Sequence, residues 1–326
     1  MCYGRRARYP ELVMPLRPAL AVALTILFWG SSFTGIRVAL ESFSPGPLAL
    51  LRFTTASIVL LTAAAISPVP FPKREDLPRT AGLAFIGITV YHFCLNFGQQ
   101  TVPPGTTALL IQTAPVFTAV FAHFAGIERL RWDMVIGISV AFAGTLLLIV
   151  GQGRTIEFTL AAGAILISAI GTATYFLFQR PLATRYGVRA VTTWTIAFGT
   201  FPMFIFAPQA VVEWQDATWT AIQAIIFIGV FPAAIAYLLW NYAVHELGAG
   251  RTMMFLYGSP IVTLFTAWLW FGTTPPPISL VGGGITIAGV WWLNRSRARA
   301  AAAAAALSLT ADPANTADDS AAQKAA

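Results

Sequence analysis

Charged residues are scarce in this chain of 326 residues, of which 10% are charged and 57% are hydrophobic. Soluble domains carry about 25% charged residues, and the mean hydropathy here is +0.70. This composition predicts an integral membrane protein, with the lipid bilayer as one partner. The net charge of +7 does not indicate a nucleic-acid partner, because the basic residues lie in short connections between apolar runs.

Groups that carry enzyme chemistry or bind metals are also few. The two cysteines, Cys2 and Cys94, have neither metal-site nor disulfide spacing, and the three histidines are scattered. His245 begins HELGA in a predicted loop, which is not the zinc motif H-E-x-x-H, and G-x-S-x-G is absent. We therefore expect no enzyme, no metal site and no cofactor. The sequence also offers no pore loops or charged rings, which argues against an ion channel.

Apolar runs of about 20 residues, the length that crosses a bilayer core, recur along the chain. They predict an all-α integral membrane protein with ten transmembrane helices, at about 19–40, 47–66, 80–98, 102–124, 133–151, 158–179, 190–208, 217–242, 250–271 and 277–294. Residues 1–18 are predicted to be a cytoplasmic segment, with translation starting at Met1 or Met14. The alanine-rich stretch 295–326 is predicted to be a disordered cytoplasmic tail.

One segment occurs twice. NFGQQTVPPGTTALLIQTAPVFTA begins at Asn96, and NYAVHELGAGRTMMFLYGSPIVTLFTA begins at Asn241. Asn96 and Pro115 match Asn241 and Pro260 at one offset in residue number, which indicates an internal duplication. The copies are predicted to be five-helix repeats at 19–151 and 158–294, joined by a linker at 152–157. Because five is odd, the second copy inserts upside down, and such inverted repeats are the architecture of many secondary transporters.

Lysine and arginine residues lie mainly on one side of this predicted topology. They flank the N-terminus and follow spans 2, 4, 6, 8 and 10, whereas the opposite connections carry only Arg154. Positively charged connections stay in the cytoplasm. Both termini are therefore predicted to be cytoplasmic.

A family resemblance rests on three features of the sequence: the stretch WGSSFTGIRVALESFSPGPLALLRF, the stretch GIERLRWDMVIGISVAFAGTLLLIVG, and the two predicted helices that contain Pro115 and Pro260. Together they resemble the EamA-type family of the drug/metabolite transporter superfamily over about residues 19–294. The resemblance implies an exporter of amino acids or other small metabolites in a bacterial inner membrane. One departure is that Glu128, which follows span 4, has no acidic counterpart in FGTTPPP after span 9. If Glu128 serves as a gate or latch on the cytoplasmic side, the absence of a counterpart after span 9 implies that the gates of the two repeats are not equivalent.

Polar and aromatic side chains at mid-span depth are the candidates for substrate binding, because lipid does not tolerate polar groups cheaply. They are Trp29, Arg52, Tyr91, His92, Asn96, Gln112, Tyr175, Asn241 and Tyr257. The polar residues of span 3, from Thr89 to Gln99, fall on one helical face, which is either a pathway wall or a set of interhelical hydrogen bonds. Pro115 and Pro260 are expected to kink their helices at equivalent places, which either marks the site or only bends the helices.

The ionisable groups leave several roles open. Arg52 either snorkels to the outer headgroups, binds a substrate carboxylate, or holds an outer gate against Glu41. No Asp or Glu lies deep in a span, which favours a facilitator that moves substrate down its own gradient. His92 is the only deep histidine, and it is a proton-coupling group, a neutral substrate contact or a packed hydrogen-bonding group.

The expected function is secondary transport of small organic metabolites by an exporter or facilitator. Amino acids, including those with apolar or aromatic side chains, are the preferred substrates, because the family resemblance implies such exporters and the predicted interior is rich in rings and amides and free of carboxylates. The alternatives are a sugar or nucleotide-sugar carrier and proton-coupled drug efflux. Two phosphates would need several deep basic residues, and Arg52 stands alone. The sequence leaves the oligomeric state open and is compatible with a monomer.

The topology can be tested with single cysteines in a background that lacks Cys2 and Cys94. Cysteines at Ser44 and Gln215 should react with an impermeant thiol reagent added outside intact cells, because these positions lie in outer connections. A cysteine at Asp76 should not react. Labelling of Asp76→Cys from outside would contradict the ten-helix topology.

Overall fold

The computed structural model describes residues 15–127, 131–150, 159–272, 276–278, 280–289, 291–292 and 295–296. The chain up to residue 14, Glu128, the predicted linker 152–157 and the tail beyond residue 296 lie outside these residues. Every regular element in the described part is helical, which agrees with the predicted all-α class.

The first half begins with α1 (Leu16–Ala39), α2 (Pro45–Ile66) and α3 (Leu77–Gln99). Two shorter helices, α4 (Pro104–Ile111) and α5 (Ala114–Phe124), precede α6 (Trp132–Val150). The second half contains α7 (Leu160–Phe178), α8 (Arg180–Tyr186), α9 (Val188–Gln215), α10 (Trp219–Leu247), α11 (Arg251–Phe271) and α12 (Leu280–Gly289). Seven of these helices are long and apolar enough to cross a membrane, namely α1, α2, α3, α7, α9, α10 and α11, while α5, α6 and α12 contain shorter apolar stretches.

Local sequence signals set several helix ends. Pro45 follows Ser44 at the first position of α2, where its missing amide is not needed for a helical hydrogen bond. The side chain of Thr218 accepts a hydrogen bond from the amide of Ala221 and so caps α10. Gly248 ends α10 with a φ of 84°, a conformation that is strained for residues with a side chain.

Two helices extend beyond their predicted spans. The predictions 190–208 and 217–242 are too short, because α9 continues to Gln215 and α10 to Leu247. Hydropathy marks where apolar side chains stop, but the helical hydrogen bonds continue into the polar turns that follow. His245 lies in the last turn of α10 rather than in the predicted loop. Within α9 the stretch Phe201–Phe206 is a 3-10 helix, and its Pro202 lacks the amide that would continue the α-helical pattern.

Both α3 and α10 contain a π-helical stretch. The stretches are Phe85–Val90 and Gly229–Ile235, and they lie at corresponding places in the two sequence copies. Pro232 lies inside the second stretch, where it provides no amide donor. π-Helical turns of this kind are frequent at functional sites.

The first long helix of each half packs against the other half. α1 packs on α10 and α11, and α7 packs on α3 and α5. Glycines allow the close approach, since a Cβ on Gly30 would lie 3.0 Å from the carbonyl oxygen of Ser259, and one on Gly171 would lie 3.0 Å from that of Ile86. Small residues commonly let membrane helices approach closely. The two halves are therefore interleaved around the centre of the molecule.

A close pair of helices is formed by α6 and α12. A Cβ on Gly289 would lie 2.5 Å from the amide nitrogen of Ala141, and one on Gly144 would lie 2.5 Å from that of Thr286. A side chain at either position would push the two backbones apart. Gly284, also on α12, has nothing within 4 Å of such a Cβ.

Gly289→Ala should therefore lower the free energy of unfolding, by about 1–3 kcal/mol as expected for overpacking. Gly284→Ala is the matched control on the same helix, and it should leave the stability unchanged or raise it slightly, because alanine is the better helix former. Thermal unfolding of the purified protein in detergent measures both. Equal midpoints for the two variants would contradict the close contact between α6 and α12.

Candidate functional site

A small cavity lies at the centre of the molecule, where α1, α2, α3, α4, α7, α10 and α11 meet. Its polar and aromatic wall consists of Trp29, Ser32, Arg52, Tyr91, His92, Thr172, Tyr237 and Ser259. Its apolar wall consists of Phe33, Leu95, Ile111, Phe176 and Leu256. The cavity volume is about 30 Å³, which leaves room for water but not for an organic solute. The conformation is therefore closed around the cavity.

Arg52 places a positive charge at this cavity. Its exposed fraction is 2%, and its Nη1 donates to Nδ1 of His92 over 3.4 Å. The Nε atom is buried and has no hydrogen-bond acceptor. No carboxylate of the described residues forms an ion pair with Arg52, and Glu41, its predicted gate partner, is exposed. Arg52 does not snorkel to the headgroups, because its guanidinium is buried inside the protein.

His92 connects Arg52 with the second half of the chain. It lies on α3 just after the π-helical stretch, and its Nε2 lies 3.0 Å from the hydroxyl oxygen of Tyr237 on α10. His92 and Tyr237 are 145 residues apart, the offset that relates the two sequence copies, so equivalent positions of the copies meet here. The rings of Phe53 and Tyr91 flank the imidazole, each at a centroid distance of 4.2 Å.

Trp29 of α1 forms the aromatic side of the cavity. Its Nε1 donates to the carbonyl oxygen of Pro232 over 2.9 Å, within the π-helical stretch of α10. Its ring lies 5.0 Å from that of Trp240, 5.5 Å from that of Tyr237 and 5.8 Å from that of Phe176, which are distances of interacting rings. The hydrogen bond fixes the indole, so the cavity combines a rigid aromatic surface with one cation.

The helices that carry Pro115 and Pro260 are interrupted next to the cavity. Gln112 and Thr113 separate α4 from α5, which has Pro115 in its first turn. In α11 the 3-10 turn Met254–Gly258 comes shortly before Pro260. A proline cannot donate to the preceding turn, so each interruption lies where the sequence predicts a kink.

Gln112 joins the two interruptions. Its Nε2 donates to Oγ of Ser259 over 3.0 Å, and Ser259 lines the cavity. The Oε1 atom of Gln112 and the hydroxyl of Tyr257 are buried without a hydrogen-bond partner. Neither Gln112 nor Tyr257 lines the cavity in this closed conformation, so their contact with substrate stays a prediction.

Only His92 among the polar residues on the face of α3 lines the cavity. Nδ2 of Asn96 donates to the carbonyl oxygen of Pro45 over 3.2 Å, and Nε2 of Gln99 donates to that of Phe33 over 3.0 Å. These are interhelical hydrogen bonds of the kind that stabilise helix packing. Contact of Asn96 with substrate stays a prediction for another conformation.

Tyr175 and Asn241 belong to a polar cluster outside the cavity lining. Asn241 accepts from Gln179 over 2.9 Å and donates to Thr192 over 2.7 Å. The hydroxyls of Tyr175 and Thr195 share a hydrogen bond of 2.9 Å. The cluster leaves few free donors or acceptors on these side chains, and their role as substrate contacts stays a prediction.

The cavity wall also contains Ser32, Thr172, Tyr237 and Ser259, of which only Tyr237 is expected from the sequence, as an aromatic ring at mid-span depth. Tyr237 holds the position in the second copy that His92 holds in the first, so the repeat contained the signal for it. The sequence gives no such signal for Ser32, Thr172 and Ser259, because serine and threonine hydroxyls in membrane helices commonly bond to the backbone of their own helix.

Polar clusters join the two halves at both ends of α2. In the first, here the Glu213 cluster, the carboxylate of Glu213 accepts from the backbone amide of Ser44 over 2.9 Å. In the second, here the Arg185 cluster, Arg185 forms ion pairs with Glu75 and Asp76. These contacts tie the connections of one half to those of the other on either side of the cavity.

Comparison with known proteins identifies the family. The model of the EamA-like transporter family matches the chain twice, at residues 16–150 and 159–295. The chain belongs to the EamA-like transporter family. It is therefore a multi-pass membrane transporter with a small-molecule substrate, as the resemblance implied.

Individual relatives agree with the EamA-like assignment. The uncharacterized transporter YdfC of Bacillus subtilis is 35% identical over 271 residues, which cover 82% of this chain and 88% of that protein. A probable terminal-alkyne amino-acid exporter of Streptantibioticus cattleyicolor is 35% identical over 275 residues, 84% of this chain and 92% of that protein. One solved crystal structure superposes with a TM-score of 0.64 at 19% identity, over 84% of this chain and 95% of that chain. That likeness concerns the fold alone.

The unpartnered charge of Arg52 leads to a prediction about stability. A buried ion without a partner costs on the order of several kcal/mol. Arg52→Met removes the charge at similar length, so its unfolding midpoint should equal or exceed that of the parent in a detergent melting experiment. Arg37→Met is the control, because Arg37 donates to the carbonyl oxygens of Gln99 and Gln100 over 3.2 and 2.8 Å, and its midpoint should fall. A lower midpoint for Arg52→Met than for Arg37→Met would mean that Arg52 is a structural residue.

Proposed function

We propose that this EamA-like transporter exports amino acids with apolar or aromatic side chains by alternating access. In this proposal the substrate binds in the central cavity between two inverted five-helix repeats, in a bacterial inner membrane, with both termini in the cytoplasm. The observation that carries the proposal is the buried guanidinium of Arg52, which lines the cavity and has no carboxylate partner among the described residues.

A carboxylate is the ligand that suits Arg52. A guanidinium binds a carboxylate through two parallel hydrogen bonds. The Nε of Arg52 has no acceptor, and its contact with His92 is 3.4 Å, longer than the usual range of about 2.7–3.2 Å. Arg52 therefore has donors to offer, and the α-carboxylate of an amino acid neutralises a charge that is otherwise uncompensated.

The rest of the cavity wall suits the remainder of an amino acid. The rings of Trp29, Phe176 and Tyr237 provide surface for an apolar or aromatic side chain. Ring faces also attract an ammonium group, and the hydroxyls of Ser32 and Ser259 line the same cavity as acceptors. The relative named as a probable amino-acid exporter supports this substrate class.

Internal symmetry supports alternating access. The family model matches each half separately, and π-helical stretches and helix interruptions occur at corresponding places in both. The Glu213 cluster and the Arg185 cluster join the halves on either side of the cavity. Breaking one cluster at a time would expose the cavity to one side of the membrane at a time, as inverted-repeat transporters do.

The alternative substrates suit this cavity less well. A nucleotide sugar carries two phosphates that several basic groups would have to bind, and Arg52 is the only arginine or lysine in the cavity wall. A neutral sugar would leave that charge unpaired. Drug efflux that is coupled to protons through a buried carboxylate requires an aspartate or glutamate, and the cavity wall contains neither.

The proposal predicts which groups of a ligand matter. In proteoliposomes the protein should exchange radiolabelled L-phenylalanine, and the amino acid should stabilise the purified protein against heat, because it binds only the folded state. Phenethylamine lacks the carboxylate and should bind far more weakly in both assays, whereas 3-phenylpropanoate lacks only the ammonium group and should retain part of the affinity.

Matched variants make this test specific. Arg52→Met should weaken binding of L-phenylalanine by roughly 10- to 100-fold, the equivalent of ~1.5–3 kcal/mol for hydrogen bonds to a charged group, and should erase the preference over phenethylamine. Tyr242→Phe is the control, because Tyr242 lies on α10 outside the cavity wall and its counterpart in the first copy is Phe97. A parent protein that exchanges a sugar and no amino acid would overturn the proposal.

A further inference from the structure

We infer that His92 and Tyr237 are positioning residues for Arg52, which orient its guanidinium for the substrate carboxylate only while the two halves meet at the cavity. The inference rests on the proposed function and names two further residues that determine its selectivity for carboxylates. It follows from the direction of two hydrogen bonds, and from the fact that one of them joins the two halves of the chain.

The hydrogen bonds among the three side chains have one consistent direction. A guanidinium only donates, so Nδ1 of His92 is unprotonated and accepts from Nη1 of Arg52. The neutral imidazole then has its proton on Nε2 and donates it to the hydroxyl oxygen of Tyr237, 3.0 Å away. Donation from Arg52 therefore selects the Nε2–H tautomer of His92, and the hydroxyl oxygen of Tyr237 accepts the Nε2 proton.

The imidazole is held more firmly than the guanidinium. His92 is 1% exposed, and the rings of Phe53 and Tyr91 flank it. Among the described residues Arg52 has one side-chain hydrogen-bond partner, His92, over 3.4 Å, and its Nε has no acceptor. Its guanidinium carbon also lies 5.4 Å from the centroid of the Phe53 ring. The direction in which Arg52 points is thus set by His92 together with the ring of Phe53, and His92 is the hydrogen-bonding member of the two.

The bond between His92 and Tyr237 joins the two halves of the chain. His92 follows the π-helical stretch of α3, and Tyr237 follows that of α10. Such stretches are places where a helix bends. Movement of α3 away from α10 breaks this hydrogen bond, and the imidazole of His92 is then no longer held in place. Arg52 is therefore oriented for a carboxylate while α3 and α10 meet and loses that orientation when they separate, which favours release of the substrate.

Three substitutions separate positioning from packing. Tyr237→Phe removes only the hydroxyl, and His92→Leu removes both hydrogen bonds. His92→Gln keeps them, because the amide oxygen can accept from Arg52 and the amide nitrogen can donate to Tyr237. Isothermal titration calorimetry in lipid nanodiscs measures the affinity for L-phenylalanine and for phenethylamine.

We expect Tyr237→Phe and His92→Leu to weaken binding of L-phenylalanine by about tenfold, the size of one lost charge-assisted hydrogen bond. The weak binding of phenethylamine should not change, and His92→Gln should restore most of the affinity of the parent. Equal affinity of the parent and Tyr237→Phe for L-phenylalanine would overturn the inference and leave the proposed function standing. Failure of the parent to bind L-phenylalanine would count against the proposed function instead.

A second measurement needs no substrate. In a background with His123→Gln and His245→Gln, His92 is the single histidine of the chain, and ¹⁵N NMR reports its tautomer directly. We expect the Nε2–H form in this background and a mixture of tautomers once Arg52→Met is added. A predominant Nδ1–H form would overturn the inference whatever the substrate is.

Discussion

The hydrocarbon core of a bilayer offers no hydrogen-bond partners, so a polar group there must find one inside the protein. Buried polar contacts between the helices follow from this constraint. Gln99 donates to a backbone carbonyl of α1, and the indole of Trp29 donates to the carbonyl oxygen of Pro232 on α10. Among the buried side-chain atoms of the described residues that lack a partner, Nε of Arg52 is the one that belongs to a charged group. It lies at the cavity, and this is the basis of the proposed carboxylate site.

The class of protein and most of the helices could be predicted from sequence, because bilayer thickness dictates both the composition and the length of the apolar runs. The cavity could be predicted only in part. Trp29, Arg52, Tyr91 and His92 line it as polar or aromatic groups at mid-span. Asn96 has the same character and lies one turn from His92, yet a carbonyl oxygen of a neighbouring helix takes its amide. Sequence periodicity identifies a helical face but not which groups on it have partners.

The π-helical stretches show a second limit of sequence patterns. Gly229–Ile235 contains Pro232, which disturbs a helix wherever it occurs. Phe85–Val90 has no proline, and its composition is that of an ordinary apolar helix. What the two stretches share is their place in the fold, since each lies where a helix of one half packs against the first helix of the other half. Long-range packing decides such features, and only the internal repeat hints at them.

The interleaving of the halves has a consequence for how the chain enters the membrane. The partners of α1, which are α10 and α11, are synthesised near the end of the chain, so α1 first resides in lipid without them. The indole of Trp29 lacks its acceptor on α10 during this time, but two hydroxyl groups of α1 do not depend on the later helices. Thr25 donates to the carbonyl oxygen of Ala21, and Ser32 donates to that of Trp29, so each hydroxyl is satisfied within its own helix. Amide and charged side chains do not form such hydrogen bonds within their own helix. Arg52, the cation of the cavity, lies on α2, and its partner His92 lies on α3, which is the next helix to be synthesised.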